Sequence, residues 1–229
     1  MVSKSKGTQD KNLEVVEHAL TRSERFIEEN QKTIIGAIIV IVLIVGVFLG
    51  TKRFIINPKE KDAQSQMFAA EAYFEKDSFN LALNGDGNYL GFLDIIDEYK
   101  ITKSAKLARY YAGISYLRLG QYQEAIDQLK QFKLKDALVL PISRGAIGDA
   151  YIELGQEKEA IKWYLEAGRI STNSFTTPIF LMKGAELLEQ SGDLNQALSL
   201  YEEIKEKYPE SEEGRKIDKY IARVKSAQK

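Results

Sequence analysis

Residues 34–50, IIGAIIVIVLIVGVFLG, constrain this chain more than any other stretch. Thirteen of these seventeen residues are Ile, Val, Leu or Phe, and no charge falls between Lys32 and Lys52. At roughly −0.3 to −0.6 kcal/mol for each such residue, transfer into a bilayer is favoured by several kcal/mol. The run sits at the short end of the roughly 17–25 residues that cross hydrocarbon, and snorkelling by Lys32, Lys52 and Arg53 extends it. A cleavable signal peptide is the nearest competitor. Against it, 33 mostly polar residues precede the run, and Thr51-Lys52-Arg53-Phe54 follows without a small-x-small cleavage pattern. The expectation is an uncleaved signal anchor. It divides the chain into a tail (1–33), a transmembrane helix (34–50), a linker containing Pro58 (51–62) and a domain of 63–229.

Composition excludes several chemistries. The formal net charge of −1 provides no general attraction to nucleic acid or to acidic lipid. There is no cysteine, and the single histidine, His18, lies in the tail. Thiolate chemistry, the usual transition-metal sites and Ser/His or Cys/His nucleophiles are therefore excluded, and no acid–base–nucleophile constellation can be assembled by spacing. No enzyme, cofactor or metal is expected. The Gly85-Asp86-Gly87-Asn88 segment fails as a calcium loop: counted from Asn84, Tyr89 stands where glycine is needed and Ile95 where an acid is needed. It also lacks the Lys-Ser/Thr of a phosphate cradle.

In the tail, Leu13, Val16, Leu20 and Ile27 recur at helical spacings over 10–30, with Ser23 at the missing position. This amphipathic helix could pair with a partner helix, lie on the membrane, or stand solvated before the anchor. Within the anchor, Gly46 and Gly50 form a GxxxG that would let a second helix approach closely, as in a homodimer or docking on another membrane protein. Cations flank the anchor on both sides, so charge bias alone leaves its orientation open.

Beyond the linker, helical patterning runs to the end of the chain, and three units repeat within it. They read YYAGISYLRLGQYQEAIDQL, RGAIGDAYIELGQEKEAIKWYLEA and MKGAELLEQSGDLNQALSLYEEI. Aligned, Gly120, Gly155 and Gly192 fall in register, as do Ala125, Ala160 and Ala197, at spacings of 35 and 37. Small residues followed by an aromatic (Gly113/Tyr116, Gly148/Tyr151), the turn glycine, the alanine, then Tyr164 and Tyr201, and a final Pro209 complete a pattern that resembles the tetratricopeptide repeat. Ala185 and Leu188 depart from it in the third unit, and Leu129 in the first. The units are expected near 106–140, 141–175 and 178–211. Upstream, Ala70, Tyr73, Phe74 and Ala82 fit a fourth unit (63–104) interrupted by the insertion NGDGNYLG. Downstream, Ile217, Ile221 and Val224 mark a capping helix over 211–227.

The fold class is thus expected to be all-α: one transmembrane helix, then a solenoid of helical hairpins with a C-terminal cap. The resemblance implies a concave groove that binds other polypeptides. Carried across position by position, the groove consists of Met67, Glu71 and Phe74; Tyr110, Ile114 and Leu117; Asp149 and Ile152; and Met182, Glu186 and Glu189. This set has no Lys/Asn cluster, which sets it apart from the members that clamp peptide C-termini. Tail, anchor and repeats together resemble the YfgM-type ancillary subunits of the bacterial Sec translocon, and the GDGNYLGFLDI insertion looks like the form found in Bacteroidetes-type bacteria. That resemblance implies an inner-membrane protein with a cytoplasmic N-terminus and a periplasmic repeat domain. Its partners would be Sec translocon subunits and secretory or envelope proteins, handled in the manner of a holdase. The alternative is a structural adaptor in outer-membrane assembly or cell division.

Overall fold

A computed structural model describes residues 26 and 29–228. Most of the expected tail helix, and His18, lie outside the described residues. Among those residues there is no strand, and the chain divides into two compact units, Met1–Asn57 and Pro58–Lys229.

In the first unit, α1 (Gln31–Thr51) has no buried residue. At 1.5 Å per residue its 21 residues reach about 31 Å, long enough and apolar enough to cross a bilayer. A five-residue π-helical segment, Lys52–Ile56, follows, closed by the Asn57 N–H on the Lys52 carbonyl. The physical reason lies in Pro58, which has no N–H to give and whose ring crowds the carbonyl four residues back. A wider turn accommodates both. Residues 51–62, expected as a linker, therefore carry helical hydrogen bonding.

The second unit is built of helices in chain order. α2 (Asn57–Glu75) is followed by two short helices, α3 (Phe79–Asn84) and α4 (Phe92–Glu98). Then come α5 (Lys103–Arg118), α6 (Tyr122–Gln131), α7 (Val139–Glu153), α8 (Glu157–Ile170), α9 (Thr176–Gln190), α10 (Leu194–Lys207) and α11 (Glu212–Ala227). Each hairpin packs on the next, α5/α6 against α7, α7/α8 against α9, and α9/α10 against α11. A stack in which each unit touches its neighbours is the expected solenoid.

The hairpin turns repeat atom for atom. After α5, α7 and α9 the sixth residue's N–H reaches back to the first's carbonyl: Gln121 to Tyr116 at 2.9 Å, Gln156 to Tyr151 at 2.8 Å, Asp193 to Leu188 at 2.8 Å. The intervening glycines, Gly120, Gly155 and Gly192, have φ of 75°, 67° and 88°. This is the Schellman close of a helix, which requires a left-handed residue. The same bond, Ser78 N–H to Tyr73 at 2.9 Å, closes α2, and there Asp77 holds the left-handed position with φ 56°. That geometry costs an L-residue up to about 1–2 kcal/mol. Glycine would relieve it at about 0.4–1 kcal/mol of added unfolded-state freedom. Asp77→Gly should thus stabilise the domain by about 0.5–1 kcal/mol, read as a rise in the urea midpoint.

Within each hairpin the small residues serve close approach. A Cβ on Gly113 would lie 2.4 Å from the Leu129 side chain, and one on Gly148 would lie 2.6 Å from the Tyr164 ring. Ala82, Ala125, Ala160 and Ala197 have no exposed surface. The insertion forms a closed loop between α3 and α4. Asp86 is its hub: Oδ1 accepts from the Asn88 and Tyr89 N–H groups (2.9 and 2.8 Å), and Oδ2 from the Tyr73 hydroxyl (2.8 Å). These donors hold the Asp86 carboxyl below its usual range, the Tyr89 N–H most of all.

Bonds between units are made by polar side chains far apart in sequence. Glu60 on α2 caps α5, accepting from the Lys103 and Ser104 N–H groups (2.6 and 3.1 Å) and the Ser104 hydroxyl (2.7 Å). A carboxylate at a helix N-terminus satisfies orphan donors and meets the positive end of the helix dipole. Asn173 does the same for α9, its Oδ1 accepting from Phe175 and Thr176 while its Nδ2 donates to the Ala137 carbonyl before α7. On α7, Arg144 donates to the Leu129 carbonyl (3.1 Å) and pairs with Glu166 (3.1 Å) over the Trp163 ring.

Candidate peptide-binding groove

The first helices of successive hairpins, α5, α7 and α9, line an open groove of about 570 Å³. Its floor is apolar, made by Ile114 and Leu117 from α5, Ile142 and Ala146 from α7, and Ile179 and Phe180 from α9. Phe180 reaches it because α7 carries glycine beneath it; a Cβ on Gly145 would stand 1.9 Å from that ring. The rim is polar and of both signs: Arg118, Asp149, Glu153 and Lys183, with Tyr122 from α6. Asp149 is held from two sides, accepting from the Lys183 ammonium and the Tyr164 hydroxyl, each at 2.6 Å. Burial and that bond to Asp149 raise the Tyr164 hydroxyl well above its ordinary value, so it stays a donor. Tyr122 donates to Glu153 at 3.2 Å. Arg118 has no ion-pair partner among the described residues.

Of the eleven groove positions read from sequence, Ile114, Leu117 and Asp149 line this groove. Met67 and Glu71 border a separate concavity of about 260 Å³ between α2 and α5. Burial, with Glu75 adding to it, raises the Glu71 carboxyl above its usual range. Met182 and Glu186 border a third, of about 170 Å³, against α11. Tyr110 and Ile152 are partly buried against the central core. Phe74 and Glu189 have internal partners. Phe74 packs on Phe79, Phe92 and Tyr111, with ring centres 5.5, 6.3 and 5.1 Å away. Glu189 is gripped by Arg223 through two bonds (2.6 and 2.8 Å) and by the Tyr201 hydroxyl (2.8 Å). Sequence reading missed Ile142 and Ile179, although the repeat register aligns them with Leu107, which borders the concavity beside α2. It also missed Lys183, whose partner Asp149 lies 34 residues away.

The Arg223 guanidinium holds the Glu189 carboxyl below its ordinary 4.5; Tyr201 assists and burial opposes. A depressed carboxyl contributes stability that is present above the unfolded value and lost as pH falls through the folded one. Below pH 4.5 the docking of α11 on α9 should therefore weaken. Glu189→Gln should lower Tm at neutral pH and flatten its fall on the acid side, measured by thermal melts across pH. Parallel acid limbs for the two proteins would show that this pair does not govern the cap.

In the Met1–Asn57 unit, Gly46 and Gly50 lie on the surface of α1, with open space for 4 Å around the point where a Cβ would stand at either position. Among the described residues no group of His, Asp or Glu side chains is arranged to hold a metal.

Comparison with known proteins agrees with this geometry. Two tetratricopeptide-repeat family models match, one over residues 107–136 and 180–211, the other over 143–173. No curated protein matches the sequence. Among solved structures, tetratricopeptide-like repeats of a Podosopora anserina protein described as a kinesin light chain superpose with a TM-score of 0.54 at 18% identity. The match covers 74% of this chain and 88% of that one, and a single-substitution variant of the same protein matches equally in TM-score and identity, covering 87% of its own chain. The likeness is one of fold. Residues 107–136, 143–173 and 180–211 carry tetratricopeptide repeats, which indicate a protein–protein interaction module.

Proposed function

We propose that this chain is a membrane-anchored protein-binding module of the cell envelope, acting beside the Sec translocon on secretory polypeptides. The observation that carries the reading is the groove across α5, α7 and α9, whose apolar floor is framed by hydrogen-bonding side chains of both signs. Such a floor suits apolar side chains of an extended segment, and the rim suits its backbone and polar groups. The apolar helix α1 supplies the anchor, with Gly46 and Gly50 as the face that docks on other membrane helices. Orientation follows the translocon-subunit resemblance: tail in the cytoplasm, repeats in the periplasm. The groove differs from a carboxylate clamp, since its cations, Arg118 and Lys183, are not joined by asparagine.

The test is in vivo crosslinking of the intact chain, mild-detergent purification and mass spectrometry, beside an anchor-swapped version. Translocon subunits should be recovered with the native α1 and lost with the swap. A doubly charged groove, Leu117→Lys with Ile179→Lys, should lose crosslinks to secretory chains while keeping the translocon and its helicity. Recovery of outer-membrane assembly or division proteins with either anchor would replace this reading with that of a structural adaptor.

A further inference from the structure

The middle hairpin of the repeats lacks bulk where its neighbours have it. Nine and ten residues before the turn glycines Gly120 and Gly192 stand Tyr111 and Tyr110 on α5, and Lys183 and Met182 on α9. The same two places before Gly155 hold Ala146 and Gly145 on α7. All four large side chains are engaged within the solenoid. Tyr111 stacks on Phe92, Tyr110 lies 5.7 Å from Phe132, Met182 belongs to the C-terminal core, and Lys183 pairs with Asp149. On α7 nothing of the kind exists. Part of the vacated space goes to the Phe180 ring, which sits against Gly145, and the rest is the floor of the central groove. Ala146 and Phe180 are 5 and 7% exposed, the most buried of the lining residues, and Ile114, Leu117, Ile142 and Ile179 stand partly buried around them. The result is a hollow with apolar walls and a methyl group at its base.

The charges of the groove lie to one side of this hollow and cancel. On each lining helix they follow the apolar residues: Arg118 after Ile114 and Leu117, Asp149 and Glu153 after Ile142 and Ala146, Lys183 after Ile179 and Phe180. Two cations face two anions, so the groove gives a charged side chain no net attraction to offset its desolvation. An uncharged apolar side chain loses nothing there and gains the burial of its surface. The neighbouring rim groups, still charged and hydrogen-bonding, suit the backbone that carries it.

We infer that Gly145 and Ala146 make α7 the receptor for one large uncharged side chain, aromatic or long aliphatic, of an extended polypeptide. The inference rests on the reading of the groove as a polypeptide-binding surface and names what that surface selects. Ala146 is the specificity-determining residue, because a longer side chain there would refill the space that Tyr111 and Lys183 occupy in the adjacent units. In an extended segment alternate side chains point the same way, about 7 Å apart. The residues two places on either side of the large one therefore meet the isoleucine and leucine walls and are small, while those between point away from the floor. Burying a phenylalanine or leucine side chain in such a hollow favours it over alanine by about 10- to 100-fold in affinity.

The test uses the full-length chain in lipid nanodiscs, with empty nanodiscs as the blank. The probes are fluorescein-labelled peptides of an uncharged Ser/Thr/Val host whose central residue is Ala, Leu, Phe, Trp or Lys, titrated by fluorescence anisotropy. Phe and Leu peptides should bind about 10- to 100-fold more tightly than the Ala peptide, and the Lys peptide no better than Ala. Ala146→Leu should erase most of that preference while helicity and Tm stay at the native values. Ile142→Ala, which widens the hollow at a partly buried wall, should shift the preference toward Trp, and it decides the matter should Ala146→Leu fail to fold. Equal binding of the Phe and Ala peptides by the native chain would overturn the inference and leave the groove a peptide surface without a selective hollow. So would a preference that survives Ala146→Leu or is unmoved by Ile142→Ala. Failure of the native chain to bind any of the peptides, or binding unaffected by Leu117→Lys with Ile179→Lys, would overturn the groove reading itself and the inference with it.

Discussion

Tyr201→Ala should destabilise the C-terminal end of the solenoid by about 3–5 kcal/mol, the range for deleting a fully buried aromatic ring. Tyr201 has no exposed surface, and its ring lies 5.4 Å from that of Tyr220 on α11. Its hydroxyl donates to Glu189 on α9, while the residue itself sits on α10. One side chain thus joins all three terminal helices. Against a typical domain stability of about 5–15 kcal/mol, the loss is enough to release that end before the rest, because a solenoid unit is supported from its neighbours alone. Hydrogen exchange on the intact chain should show protection falling over 176–227 while 103–170 keeps most of its own. Tyr201→Phe separates the two contributions. It keeps the ring and loses a bond to a charged group, about 1.5–3 kcal/mol. Uniform loss of protection across every helix would instead mean that the stack unfolds as one body.

The solenoid was legible because its signals are local. A left-handed residue after each first helix, a small residue at each crossing and an alanine five positions beyond the turn all lie within one hairpin. Each recurs at 35 or 37 residues. The fourth turn shows how far such reading extends: Asp77 fills a glycine position, yet the Tyr73 and Ala82 around it keep the register. The interrupted helix was readable for the same reason, since glycines and polar residues stand where apolar spacing should continue.

The groove was less legible, for a physical reason. Whether a first-helix side chain faces an open groove or a neighbouring unit depends on partners 18 to 44 residues away. Glu189 reads as a groove acid until Arg223, 34 residues on, arrives to neutralise it. Phe74 reads as a groove aromatic, but the insertion returns Phe92 against it. Glu60 lies in the stretch read as a linker, and its capping role appears only when α5 presents bare N–H groups 43 and 44 residues later. The same holds for Pro58, a plausible break that the backbone absorbs by widening to a π turn.

Phe92→Ala should cost a further large amount at the other end, again about 3–5 kcal/mol. Phe92 is fully buried at the start of α4 and stacks on Tyr111 of α5, ring centres 5.1 Å apart and planes 9° from parallel. Phe74 meets both rings edge-on and also meets Phe79, so the cluster fastens α2, α3 and α4 to α5. The insertion makes this cluster matter more than an ordinary core, because α3 and α4 are six and seven residues long. Helices that short have little stability of their own and are held by packing. Phe92→Ala should therefore release 79–98 and uncover the Glu60 cap on α5, leaving α9 to α11 protected. Combined with Tyr201→Ala, the two costs should add to within about 0.5 kcal/mol, as for sites with no shared partner. A measured coupling well above that value would mean that strain passes through α5 to α8. The central groove would then be a mechanically linked surface, sensitive to what happens at either end, and not a patch made by three independent hairpins.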